Sequence, residues 1–264
     1  MNFSLLGKLK KPGVTPAFLL VIFGNLWIWR IFDDNLLAAI CIVLSSLFLY
    51  KSIKTGKFNK VLILLVFILF VFQLSKTDLR SLTYLTEQQK VLQLQRLNEH
   101  PPVSIALGGK TIWIPLANWM EKRPEALILY RIQENLSGVF SPNLYFFANH
   151  PNERVGIKEH EKFPYILLPF FVIGLLGLNF RKNARLVVVS LLAPISLIAF
   201  VGTYVDVEPI TLFPFMAVCS VLGLEYVWEK VSKLKFRRIE KLTGGAFIFL
   251  YILVFLQSFL FDRL

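Results

Sequence analysis

Seven separate runs of apolar residues, each 15 to 20 residues long, constrain the fold of this chain more than any other feature. A helix needs roughly 20 apolar residues to cross a hydrocarbon layer about 30 Å thick. The last four runs have that length, whereas the first three need flanking residues to complete a crossing. We therefore predict an all-α integral membrane protein with about seven transmembrane helices, at 17–32, 36–50, 61–75, 164–180, 186–204, 209–228 and 242–261.

The first two runs leave an alternative open, because a short pair with a three-residue gap is also compatible with a re-entrant hairpin. The N-terminus is basic and precedes an apolar run, as in a signal peptide. The bulky residues 26–29 do not fit a cleavage site, however, so we predict a retained first helix.

The charges between the runs alternate. Basic gaps lie at 1–16, 51–60, 181–185 and 229–241, and acidic gaps at 33–35 and 205–208. Since basic residues remain preferentially in the cytoplasm, this alternation predicts a multi-pass plasma-membrane protein with a cytoplasmic N-terminus. The predicted domains are an N-terminal membrane region of three helices, an extracytoplasmic domain and a C-terminal membrane region of four helices, at 1–75, 76–163 and 164–264.

The net charge of +12 would suggest nucleic acid as a partner if the chain were soluble. In a membrane protein the same excess orients helices and contacts anionic lipid. The expected partner is therefore the lipid bilayer, not nucleic acid. Cys41 and Cys219 both lie in apolar runs, so the outer segment has no disulfide and no zinc spacing.

The outer segment, 76–163, is predicted to form a small, mostly helical domain. Thr86 and Gln89 form a capping box for a helix that ends near Glu99. Alternating apolar residues on both sides of Gly108–Gly109 indicate a β-hairpin. A second helix is predicted over 125–136, ending at Ser137–Gly138. The sequon at Asn135 is interpreted as chance.

The middles of the seven runs lack ionisable residues, which disfavours an ion-coupled transporter. Glu225 lies near a helix end, where its carboxylate is expected to reach water. Proline recurs in the later runs and predicts kinked helices, at Pro169, Pro194 and Pro214. Polar residues in the runs are expected to join neighbouring helices, namely Asn25, Gln73 and Gln257.

Two carboxylates, Asp33 and Asp34, follow the first run directly. At a membrane boundary they are candidates for a general base or a cation site. The simpler interpretation is that they mark the water boundary, with Arg30 paired to Asp34 four residues away. We keep both residues as candidate catalytic groups.

A second candidate site lies in the polar loop before the fourth run. His150, Glu153 and Arg154 are candidates for binding a substrate or a phosphate, because an arginine fork suits such oxygens. A metal site is less favoured, since the spacing matches no known ligand pattern. The aromatic residues around this loop are predicted to form an interfacial belt, although sugar stacking is an alternative; they are Phe140, Tyr145, Phe146, Phe147, Phe163 and Tyr165.

Residues 140–147 (FSPNLYFF) and 163–171 (FPYILLPFF) resemble the later half of bacterial membrane glycosyltransferases with the GT-C fold. These are similar to the dolichyl-phosphate-mannose protein mannosyltransferases. Residues 208–215 (EPITLFPF) resemble a late helix of the same family. The resemblance implies a polyprenyl-phosphate sugar as substrate and an acidic residue in the first outer loop, which Asp33 or Asp34 matches by position.

The chain departs from that family in three respects: it is shorter, its first outer gap holds only three residues, and Glu208 stands where an arginine is usual. The resemblance therefore implies a non-catalytic relative or a detached late half, acting in lipid-linked sugar or envelope glycan handling with a partner membrane protein. The alternative function is a non-enzymatic scaffold that binds a partner through its outer domain. A transporter of a lipid-linked substrate is a weaker third, and the sequence identifies no cofactor.

Overall fold

The structure, a computed structural model, is mostly helical (79%), which confirms the all-α class. It describes residues 15–76, 82–85, 87–100, 102–114, 122–147, 162–201, 209–233 and 237–263.

The first membrane region contains α1 to α4, and the outer segment contains α5, a two-stranded antiparallel hairpin, α6 and the short α7. Their bounds are α1 Pro16–Phe23, α2 Leu26–Asp34, α3 Leu36–Thr55, α4 Val61–Lys76, α5 Glu87–Glu99, β1 Val103–Leu107, β2 Lys110–Ile114, α6 Pro124–Phe140 and α7 Asn143–Phe146. The hairpin turns at Gly108–Gly109, where both glycines have positive φ, as the sequence predicted.

The second membrane region begins with a 3₁₀ turn, and its described residues form five helices. Their bounds are α8 Leu168–Gly177, α9 Ala184–Val187, α10 Ala193–Val201, α11 Phe213–Ser232 and α12 Arg237–Arg263. A π-helical turn, Val188–Leu192, joins α9 to α10 into one continuous rod.

Four described helical segments are long and apolar enough to cross a membrane: 36–55, 184–201, 210–232 and 242–260. The bent pair α1–α2 would add a fifth crossing if it is one span, and α4 and α8 are shorter apolar helices. The outer surfaces of these helices expose large apolar side chains, such as Phe67, Leu176 and Phe249. The helices therefore have the length, composition and surface of a membrane protein, whereas seven crossings are not confirmed.

Helix α11 is the centre of the bundle, with 83% of its span buried. It packs against α8 at very short range, because a Cβ added at Gly174 would lie 1.9 Å from the Cys219 carbonyl oxygen. A Cβ added at Gly223 would lie 1.8 Å from the carbonyl oxygen of Phe170. Only glycine permits this backbone contact, which is the small-residue packing typical of membrane helices.

The predicted single helix over 17–32 is instead broken, with a 60° bend between α1 and α2. The amide Nδ2 of Asn25 donates to the Val21 and Ile22 carbonyls at 2.7 and 2.9 Å, and its Oδ1 accepts from Ile28 N at 2.9 Å. Asn25 thus satisfies backbone groups that are freed at the break. The prediction that its side chain joins two neighbouring helices is wrong. The Tyr251 hydroxyl of α12 donates to Gly24 O at 2.9 Å.

Two further expectations from sequence are wrong. Pro169 and Pro214 lie in the first turns of α8 and α11, where proline has no hydrogen bond to break, so they start helices instead of kinking them. The helix predicted over 125–136 continues through Gly138 to Phe140, because the next two residues, Ser141–Pro142, are the stronger stop.

The basic gaps converge at one end of the bundle. The Lys182 side chain lies beside Gly56, with its Cε 3.4 Å from the position of a Cβ there. Lys54 reaches Glu225, about two turns before the end of α11. Gaps 51–60, 181–185 and the start of 229–241 are therefore neighbours, and we call this the basic end. The opposite, outer end joins the bundle to the outer segment.

Candidate functional site

The predicted catalytic pair, Asp33 and Asp34, ends α2 and is exposed at the corner between α2 and α3. Asn35 makes this corner, because its Oδ1 accepts from Ala38 N at 3.0 Å and caps α3. An active site of this kind normally lies in a pocket lined by convergent polar groups. Neither carboxylate is enclosed in this way within the described part of the chain.

The second predicted site, His150, Glu153 and Arg154, lies outside the described residues, as does Thr86 of the predicted capping box. Among the residues that the structure does describe, no group of three or more histidine, cysteine, aspartate or glutamate side chains is arranged to hold a metal ion.

Three of the six residues predicted to form an aromatic belt are exposed, and three are not. Phe140, Phe147 and Tyr165 are exposed, as a belt requires. The other three of its members are buried instead, and they form the contact between the outer segment and the bundle; they are Tyr145, Phe146 and Phe163.

An aromatic cluster at the outer end holds the outer segment to the bundle. The rings of Trp27 and Phe163 both lie 5.0 Å from that of Phe213, and Phe146 packs on Phe163 at 6.0 Å. Such ring pairs contribute about 0.5–1.5 kcal/mol each beyond their buried area. Burial raises the pKa of the Tyr145 hydroxyl, which therefore remains a neutral member of this contact.

Hydrogen bonds add two buried ties at the same end. Asn135 of α6 donates to Ala199 O of α10 at 2.9 Å, so the amide of the sequon is buried and already engaged. Gln73 of α4 accepts from the Thr211 hydroxyl at 2.7 Å, which confirms its predicted role in joining helices. Gln257, by contrast, is exposed on α12.

Beyond these ties, the hairpin projects an apolar surface. The register places Ile105 opposite Ile112 and Val103 opposite Ile114. Since alternate residues of a strand share a face, these four side chains and Leu107 lie on one side of the hairpin, with Lys110 opposite Leu107 at its tip. We call the five apolar residues the hairpin apolar face. Ile105, Ile112 and Leu107 are 41%, 49% and 62% exposed.

The neighbouring helix α5 repeats this pattern, because it buries none of its residues and exposes apolar side chains such as Val91 and Leu94. Arg131 of α6 donates a hydrogen bond to Gln89 of α5 at 3.3 Å and another to the Tyr84 carbonyl, so it ties α5 to α6. The outer segment is therefore anchored at α6 and α7, while its hairpin and α5 present uncovered apolar surface.

A buried polar network at the basic end is the feature that sequence reasoning missed. Glu225 accepts from Thr15 Oγ1 at 2.8 Å and from the Tyr50 hydroxyl at 2.6 Å through Oε1. Its Oε2 forms an ion pair with Lys54 Nζ at 2.6 Å. The side chains of Lys54 and Glu225 are only 6% and 10% exposed, so the expectation that Glu225 reaches water is wrong.

This network joins α1, α3 and α11. Both carboxylate oxygens of Glu225 have partners inside the bundle, so it acts as a structural tie and presents no free base to a substrate. The sequence signal for this network was the spacing of one helical turn between Tyr50 and Lys54, which puts a hydroxyl and a cation on one face of α3. Sequence alone gave no partner for that face.

We expect Glu225→Gln to destabilise the protein by about 3–5 kcal/mol, because it leaves the Lys54 ammonium buried without a counter-charge. Glu229→Gln, one turn further along α11, is the matched control. It removes an ion pair with the exposed Lys233, and should cost less than about 1 kcal/mol. Melting in detergent measures both, and adding Lys54→Met to Glu225→Gln should recover part of the loss. Equal melting of the two single variants would show that the network contributes no stability.

A scan against protein-family models finds no match to this chain, and neither the curated proteins nor the solved structures contain a match.

Proposed function

We propose that this chain is a non-enzymatic, multi-pass membrane scaffold that binds a partner protein through the hairpin apolar face of its outer segment. The observation that carries the proposal is the exposure of that face on a hairpin whose two outer edges are both unpaired among the described residues.

A two-stranded hairpin is marginally stable by itself and normally needs a third strand or a packed helix. Here nine of the ten strand residues are exposed, so no described element covers the apolar residues of the hairpin. An added strand supplies backbone hydrogen bonds to an edge and apolar side chains to the face, which is a recurring mode of peptide recognition.

A protein fits this surface better than the membrane does. The outer segment holds 11 basic and 9 acidic residues, so it has little net attraction for anionic lipid. Its hairpin also has open backbone edges, which lipid tails cannot satisfy. Both properties suit an extended segment of another protein.

We further propose seven crossings, a cytoplasmic N-terminus and an extracytoplasmic 76–163 in the plasma membrane. The convergence of the basic gaps at one end of the bundle supports this topology, because basic loops remain preferentially in the cytoplasm. For seven crossings, α1–α2 counts as one bent span and the shorter α4 and α8 are extended by flanking residues.

The glycosyltransferase-like function, with a polyprenyl-phosphate sugar, stays a hypothesis. It depends on Asp33 or Asp34, and the variant Asp33→Asn plus Asp34→Asn separates it from the scaffold. The scaffold proposal predicts unchanged transfer of sugar to envelope glycans in cells that carry this variant, because the exposed amides leave every described helix contact intact. Loss of transfer with normal protein levels would support the enzyme and contradict the scaffold.

Photo-crosslinking from position 107 tests the docking face. We expect a protein adduct with the native chain and at least a tenfold loss when Ile105→Asp and Ile112→Asp are combined, since burying an unpaired carboxylate costs well over 1.4 kcal/mol.

The matched control is Ala106→Asp plus Thr111→Asp, the cross-strand pair on the opposite face, which should keep the adduct. If lipid is the only species crosslinked, or if both variants lose the adduct equally, the hairpin apolar face is not a protein-binding surface.

Cysteine labelling tests the topology. Thr111→Cys in the hairpin should react with a membrane-impermeant maleimide in intact cells, whereas Thr55→Cys at the basic end should react only after lysis. Both positions are exposed, and the native Cys41 and Cys219 are buried, which keeps the background low. The reverse labelling pattern would invert the orientation proposed here.

A further inference from the structure

A cleft of about 450 Å³ opens at the basic end, where α3 turns into α4. Three lysines, two phenylalanines and an asparagine line most of it, and we call it the lysine cleft: Phe48, Lys51, Lys57, Phe58, Asn59 and Lys60.

The cleft is built by the end of α3 and the loop that follows. Phe48, Lys51 and Thr55 lie three and four residues apart, so they share one face of α3. The Thr55 hydroxyl donates to Lys51 O at 2.8 Å and accepts from Lys57 N at 3.3 Å, which folds the loop back over that face. Gly56 permits the turn with φ of 70°.

Asn59 holds the end of this loop against the first residue of α4. The Asn59 Oδ1 accepts from Val61 N at 2.9 Å at the start of α4, and its Nδ2 is a further hydrogen-bond donor in the lining. The cleft therefore offers ammonium and amide donors, with no carboxylate among its lining residues.

No carboxylate among the described residues lines the cleft to neutralise its positive charge. Among the described residues, Lys54 is the only one of the four lysines at 51–60 that forms an ion pair, and neither Lys54 nor its partner Glu225 lines the cleft. None of the other three pairs with a carboxylate within the part of the chain that the structure describes. Lys182 brings a further cation beside Gly56.

We propose that the lysine cleft binds the phosphate of an anionic lipid headgroup. Lysine donors recognise phosphate oxygens from either a lipid or a soluble anion, and basic pockets between helix ends are established sites for lipid headgroups. Phe48 and Phe58 favour the lipid, because a half-buried aromatic wall at the end of a membrane helix suits the start of an acyl chain. The site lies at the opposite end from the hairpin apolar face and does not depend on it.

The test uses the full chain, purified in an uncharged detergent and titrated separately with dioleoyl-phosphatidylglycerol, dioleoyl-phosphatidylcholine and inorganic phosphate. Bound lipid is counted by native mass spectrometry, and melting without lipid verifies folding. We expect phosphatidylglycerol to bind best, and Lys57→Gln plus Lys60→Gln to weaken it by about 30-fold, since each lysine near a lipid surface contributes about a factor of five.

Lys230→Gln plus Lys233→Gln is the matched control, because it removes two exposed lysines from the same end but outside the cleft. This control and Lys57→Arg plus Lys60→Arg, which keeps both charges, should retain binding. Equal loss in the control pair would assign the effect to diffuse surface charge and overturn the site. Binding of phosphatidylcholine as strong as that of phosphatidylglycerol would also overturn it. Equal affinity for inorganic phosphate would assign the cleft to soluble anions instead of lipid.

Discussion

Close packing between α8 and α11 is the interaction on which the rest of the bundle depends. Lipid tails are as apolar as leucine, so membrane helices gain little from hiding apolar side chains in one another. Association has to come from van der Waals contact and from interhelical hydrogen bonds. Gly174 and Gly223 provide the first by letting two backbones touch, and the Glu225 and Gln73 ties provide the second.

The two ends of the bundle have different chemistry. At the basic end, a buried carboxylate is neutralised inside the protein while neighbouring lysines remain available to anions. At the outer end, aromatic rings and buried amides attach a segment whose hairpin and α5 expose apolar residues. These two ends are the places where we propose that a lipid and a partner protein bind.

The sequence predicts local features of this fold well. The hairpin follows from alternation around Gly108–Gly109, and α5 follows from an apolar stripe ended by prolines, because both signals lie within a dozen residues. The bend at Asn25 was missed because an apolar run looks the same whether its helix is straight or broken. Here one side chain satisfies the freed carbonyls and makes the break tolerable.

Long-range features of the site could not be predicted in that way. Glu225 meets residues 175 and 210 positions away, and no spacing rule connects them. Phe163 and Tyr165 are two residues apart in one aromatic segment, yet only Phe163 is in the core. Composition identifies such residues as membrane-boundary groups, but burial depends on which helices surround them.

The ion pair between Lys54 and Glu225 has a consequence for biosynthesis. A ribosome delivers α1 and α3 to the bilayer long before α11 exists, so Lys54 enters the membrane boundary without its carboxylate. Its ammonium then has to stay hydrated or be shielded by the insertion machinery, and the helices that carry it settle only after α11 has been translated. Chains truncated before α11 would therefore be early targets for membrane proteases.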